Sequence, residues 1–73
     1  MSATKGDFKE ILGKKIEFLR IQKSFGVRQF ALIAEIEHHQ LINIEKGRVD
    51  IRMSTLIKIA KALGVEAKEL LDF

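Results

Sequence analysis

From Gly26 to Gly47 the chain reads GVRQFALIAEIEHHQLINIEKG, and its apolar residues recur at a spacing that describes two short helices crossing at a tight turn. Phe30, Ala31 and Ala34 make one inward face, Ile36 plugs the turn, and Leu41 and Ile44, three residues apart, make a second. Ala31 matters for its size: a larger side chain at the crossing would hold the second helix away from the first. Between these positions His38, His39, Ile42 and Asn43 are expected to be exposed.

The rest of the chain extends the pattern to five helices. Asp7 followed by Glu10 reads as a capping box opening a first helix that runs to about Lys23. Its core stripe is Phe8, Leu12, Ile16 and Leu19. Ser24-Phe25-Gly26 breaks it, with Phe25 expected to be buried. A second helix is predicted over about 27–34 and a third over about 38–46, closed by Gly47 in the left-handed conformation. After the loop from Arg48 to Arg52, a fourth helix turns Met53, Leu56, Ile57, Ala60 and Leu63 inward and stops at Gly64. A fifth, about 67–72, presents Leu70 and Leu71. With no Pro, no repeat and no low-complexity linker, 1–73 is read as one all-α domain, with 1–6 a flexible lead-in.

Composition narrows the function classes. A chain of 73 residues buries only about 60% of its unfolded surface, so modest stability is expected and a partner subunit would help. The absence of Cys excludes disulfides, thiolate metal sites and a cysteine nucleophile, and fits a reducing cytoplasm. The start Met-Ser-Ala-Thr-Lys-Gly has no apolar core, so no signal peptide is expected, and no apolar run is long enough for a membrane span. An enzyme is a poor reading: the chain has no metal-ligand cluster and no glycine-rich phosphate loop, and it is too short for a deep pocket. No cofactor and no metal are expected, since adjacent His38 and His39 do not face one ion. The net charge of +3, from 13 basic and 10 acidic residues, is compatible with nucleic acid but does not argue for it alone.

The segment resembles the helix-turn-helix of the lambda-repressor-like, Cro-type transcriptional regulators. That family usually runs Gln-x-x-Leu-Ala, a turn Gly, then a polar helix ending Ile-Glu-x-Gly. Here Val27, Phe30-Ala31, Glu35 and Ile44-Glu45-Lys46-Gly47 hold those places. The resemblance extends from about Ile16 to Phe73: LRIQKSFGV is similar to the family's end of helix 1, and MSTLIKIAKALGVEAKELL to its fourth and fifth helices. It implies a five-helix lambda-repressor-like fold whose partner is double-stranded DNA. In size the chain resembles the small restriction-modification controllers and antitoxin-type members.

The resemblance also assigns roles. Helix 3 would enter the major groove, with His38, His39 and Asn43 at the base-reading positions and Gln40 reaching a base or a phosphate. Asn43 could pair bidentately with adenine, an imidazole could donate to guanine, and Ile42 offers an apolar contact to a thymine methyl. For the two His residues, plain solvent exposure stands as the alternative. Arg28, Lys46, Arg48 and Arg52 flank the reading helix as phosphate contacts, with the backbone amides of Gly26 and Val27, against the alternative of a solvated basic face. Arg20 and Glu45 would pair to set the angle of helix 3, against an ordinary partly exposed ion pair.

Several positions depart from the pattern. Val27 replaces a phosphate-binding Gln, and Glu35 and Glu37 put negative charge at the turn, which should weaken DNA binding. Glu37, Arg52 and Glu66 stand where Ser or Thr usually caps, so helix ends are expected to fray. Ile11, Phe18 and Ile21 on helix 1, with Leu32 and Ile33 on helix 2, are apolar where polar residues are usual. They either enlarge the core or form a surface for a protein partner. Val65, Ala67, Leu71 and Phe73 could build a twofold contact, giving a homodimer on an inverted repeat. The leading reading is therefore a cytoplasmic, sequence-specific DNA-binding regulator. The alternative is an interaction module that keeps the fold without tight DNA binding.

Overall fold

The computed structural model describes residues 5–72, with side chains from Phe8 onward. Five helices follow in order: α1 (Lys5–Gln22), α2 (Val27–Ala34), α3 (His38–Glu45), α4 (Met53–Leu63) and α5 (Ala67–Leu70). No strand occurs among the described residues. α1 begins earlier than expected, so the backbone of Asp7 is already helical and the Asp7–Glu10 box does not open the helix. α5 ends at Leu70, two residues before the expected Asp72.

α1 lies across α3, α4 and α5, while α2 packs on α3 and α4, and the five enclose one apolar core. Ile16, Phe30, Leu41, Leu56, Ile59, Leu63 and Leu70 are fully buried at its centre, with Leu12, Ala31, Ala34, Ile44 and Ala60 around them. Each of the large aliphatic side chains contributes about 1.5–3 kcal/mol by leaving water. Phe25 stacks on Phe30 with ring centroids 5.7 Å apart, closing the core beneath the α1–α2 connection. Three expected core residues lie outside it: Phe8, Met53 and Ile57 are 46%, 61% and 42% exposed. On α4 the covered face is Leu56, Ile59, Ala60 and Leu63 with Thr55, and Met53 and Ile57, four residues apart, lie together on the next face round.

The helix ends show how a chain short of capping residues starts and stops its helices. Glu37, Arg52 and Glu66 make no side-chain cap bond, as their residue types suggested, and Gly26, which precedes α2, has no side chain to make one. Two starts are secured from within the helix instead. The Gly26 N–H donates to Gln29 Oε1 at 3.3 Å, and the Glu66 N–H donates to Glu69 Oε2 at 2.8 Å. At the end of α2, Glu35 adopts the left-handed conformation (φ 60°, ψ 44°) at the place where the related pattern has Gly. A residue with a Cβ is held there at a cost of about 1–2 kcal/mol.

α1 approaches the last turn of α3 closely. A Cβ on Gly13 would strike the carbonyl oxygen of Ile44 and lie 2.7 Å from that of Glu45. One turn earlier on α1, Glu10 meets Gly47, where an added Cβ would lie 2.8 Å from the Glu10 Cα. The two segments thus meet backbone to backbone, which only hydrogen side chains permit.

Gly13→Ala therefore tests this contact by sign. A helix-interior Gly replaced by Ala ordinarily gains about 0.5–1 kcal/mol. Here overpacking against α3, at about 1–3 kcal/mol, is expected to outweigh that gain and leave a net loss in chemical denaturation. In the opposite sense, Glu35→Gly is expected to raise stability by about 1 kcal/mol by removing the left-handed strain. Equal stability of wild type and Glu35→Gly would show that the turn holds no such strain.

Candidate nucleic-acid interface

α3 has a buried side and an outer side, with three of its eight residues between the two. Leu41 and Ile44 anchor it in the core, and Glu45 is buried with them. His39 and Gln40 are exposed, whereas His38, Ile42 and Asn43 are half-buried rather than open. The His38 and His39 rings meet edge to face, with centroids 5.5 Å apart. Four expected base-reading residues with polar side chains, His38, His39, Gln40 and Asn43, thus lie on one short helix with the apolar Ile42 among them.

The buried end of α3 is held by Arg20. Its Nε donates to Glu45 Oε2 at 2.7 Å, its Nη2 to Glu45 Oε1 at 3.0 Å, and its Nη1 to the Phe25 carbonyl at 2.8 Å. Arg20 and Glu45 are 6% and 8% exposed, so this is a buried, two-pronged pair and not the partly exposed one that sequence left open. The Phe25 N–H also donates to the Arg20 carbonyl at 3.1 Å, so Arg20 clasps the connection to α2 from both its main chain and its side chain. The hydrogen bond and charge of Glu45, with a lesser contribution from Glu17, raise the guanidinium above its ordinary value against the opposing effect of burial. Because a raised base stabilises the fold below its unfolded value and loses that effect only as pH climbs through the folded one, the contribution of Arg20 is constant across neutral pH.

The flanking cations sit in different settings. Arg28 is exposed in the first turn of α2, and with Ala31, Leu32, Ile36, Glu37 and His38 it lines a shallow depression between the starts of α2 and α3. Arg52 is exposed at the start of α4. Lys46 borders a second depression with Glu10, Lys14 and Glu17, so its charge lies among α1 side chains. Arg48 donates through Nη1 to Asn43 Oδ1 at 3.3 Å, joining a residue expected on a phosphate to one expected on a base. The Gly26 amide is engaged by Gln29, and Val27 is half-buried against the core, which explains an apolar residue where the related pattern has Gln.

The remaining surface residues separate as well. Ile11, Phe18 and Ile21 are 39%, 59% and 58% exposed, so they do not enlarge the core. Leu32 and Ile33 are exposed with them. Val65 and Ala67 are partly buried against the core and Leu71 is exposed, while Phe73 lies outside the described residues. Lys15 Nζ donates to the Asp72 carbonyl at 2.8 Å, tying the end of the chain to α1. Sequence reasoning missed Gly13, Gln29 and Ile59. An isolated Gly within a helical pattern was the signal available for the first.

No helix of the described residues is long and apolar enough to cross a membrane, and no group of three or more metal-ligating side chains occurs among them. What the helices define is a helix-turn-helix protein: a short α2, a tight left-handed turn, and an α3 whose polar side faces out. Residues 13–72 match the helix-turn-helix domain family, and the chain belongs to it. Control protein C.BamHI of Bacillus amyloliquefaciens is 37% identical over 65 residues, covering 86% of this chain and 79% of that one. The clp gene regulator ClgR from Corynebacterium glutamicum superimposes with a TM-score of 0.83 at 25% identity, over 88% of this chain and 82% of that one. The restriction-modification controller protein C.AhdI from Aeromonas hydrophila shares the fold, with a TM-score of 0.81 at 23% identity over 84% of this chain and 92% of that one.

The Arg20 clasp is open to direct measurement. Arg20→Ala is expected to lower unfolding stability by about 3–5 kcal/mol, because it leaves Glu45 buried without a partner. The double change Arg20→Met with Glu45→Met is expected to recover most of that loss. A single variant as stable as wild type would mean that the pair bears no part of the fold.

Proposed function

We propose that this chain is a sequence-specific DNA-binding transcriptional regulator of the control-protein kind, which acts by occupying a promoter and not by catalysis. The observation that carries the reading is α3 itself: a helix anchored by Leu41, Ile44 and the buried Glu45, with His39 and Gln40 exposed on its other side. The 37% identity to control protein C.BamHI supports the same reading. A helix of this diameter fits the major groove, where base edges are distinguishable by their donors and acceptors.

In this arrangement His38, His39, Gln40 and Asn43 face base edges, and Ile42 packs on a thymine methyl. Arg28 before α3 and Arg52 after it take phosphates on either side, and the Val27 amide at the start of α2 adds a helix-terminal donor. Lys46 adds to the favourable field from the α1 side. The Arg20–Glu45 clasp sets the angle at which α3 is presented. Glu35 and Glu37 at the turn oppose the phosphates, which lowers affinity and leaves more of the binding to base contacts.

An eight-residue reading helix spans few base pairs, so a homodimer on an inverted repeat supplies the length that specificity needs. The exposed Leu71 near the chain end supports a twofold contact there. The exposed Ile11, Phe18 and Ile21 face supports an additional protein contact, and a chain without DNA specificity would be read as an interaction module through it. Residues 1–73 then act as one domain, in a cytoplasmic setting.

Selection of bound duplexes from a random pool at about 0.15 M salt tests the proposal. A short inverted repeat is expected, with half-site centres about 34–36 Å apart and an affinity that falls steeply as salt rises. Failure to enrich any sequence would sink DNA reading and favour the interaction module.

A further inference from the structure

Gly47, with φ at +72°, closes α3 in a turn that folds the chain back over the helix end. Its N–H donates to the Ile44 carbonyl at 3.1 Å, and the Arg48 N–H donates to the Asn43 carbonyl at 3.0 Å. The same turn carries the Arg48 guanidinium to the Asn43 carboxamide, where Nη1 donates to Oδ1 at 3.3 Å. Asn43 and Arg48 are therefore joined twice, once through the main chain and once through their side chains. The close approach of Gly47 to Glu10 holds that turn against α1.

A guanidinium carries donors only, so the carboxamide must turn its oxygen toward Arg48. That leaves the NH2 group of Asn43 free to donate to a base, while its oxygen is turned toward the guanidinium and keeps only one lone pair to accept with. Reading adenine needs an acceptor for the N6 amino group as well as a donor for N7. With its oxygen engaged, Asn43 is a poor match for that pattern, and the neighbouring guanidinium adds further donors. A donor-rich surface matches guanine, whose N7 and O6 are both acceptors in the major groove.

We infer that Asn43 and Arg48 form one reading unit that selects guanine over adenine, with Arg48 a specificity-determining residue that positions Asn43 and not a phosphate contact. The inference rests on α3 being the DNA-reading helix.

The test repeats the random-pool selection with wild type, Asn43→Ala, Arg48→Ala, Arg48→Gln and the Asn43→Ala/Arg48→Ala double variant, each checked for helicity and melting. Wild type is expected to enrich guanine at the one position whose preference Asn43→Ala abolishes. Arg48→Ala frees the carboxamide oxygen, and the ratio of guanine to adenine at that position is expected to fall about fivefold or more. Arg48→Gln keeps a donor without the charge and is expected to retain guanine better than Arg48→Ala. The double variant is expected to be no worse at that position than Asn43→Ala alone, as for two residues acting together. Guanine retained in Arg48→Ala with equal weakening on every duplex would make Arg48 a phosphate contact and overturn the inference. Adenine selected by wild type, or a motif indifferent to Asn43→Ala, would also overturn it. If wild type enriches nothing, the DNA-reading role of α3 fails first and this inference falls with it.

Discussion

Three hydrogen bonds from one guanidinium organise the α2–α3 half of this molecule. Arg20, near the end of α1, reaches the last residue of α3 with two of them and the α1–α2 connection with the third. Apolar packing of Leu41 and Ile44 holds α3 against the core, but it supplies no directional bond. A planar fork meeting a carboxylate has direction, and it fixes the end of the helix as well as its distance. Burial makes such a pair expensive to assemble and no better than a good apolar contact in net stability. Its physical advantage is geometric.

The clasp works together with an unusually close backbone approach. Gly13 and Gly47 let α1 and the last turn of α3 touch without side chains between them, which brings Glu45 within reach of Arg20. That proximity and the clasp constrain the same few residues, Ile44 to Gly47, from two directions. The turn after α3 inherits its position from them, and through that turn so does the Arg48 guanidinium beside Asn43.

Charges of both signs lie around α3. Arg28, Arg48 and Arg52 surround α3, while Glu35 and Glu37 stand at the turn that precedes it. Glu35 is there in a strained conformation, and Glu37 begins α3 without a cap bond. A surface with this mixture presents a weaker net field to an anion than a uniformly basic one would.

The number, order and approximate limits of the helices were legible because helical periodicity and helix-ending residues are local properties, written within a few positions of where they act. The inward residues of α2 and α3 were legible for the same reason. Periodicity says which residues share a face, but not how far the neighbouring helix reaches along it, and so Phe8, Met53 and Ile57 are apolar yet exposed. Likewise Gly13 signalled a weak helical position without naming Ile44 and Glu45, some thirty residues on, as the reason. The Arg20–Glu45 pair, 25 residues apart, follows no local period, and it forms only where α1, α3 and the α1–α2 connection meet. Chain-local chemistry thus set the elements and the residue types on the outer side of α3. The burial of the clasp, the closeness of α1 to α3 and the orientation of Asn43 under Arg48 arose only when distant segments met, because exposure and side-chain direction are properties of neighbours that the chain does not place adjacent in order.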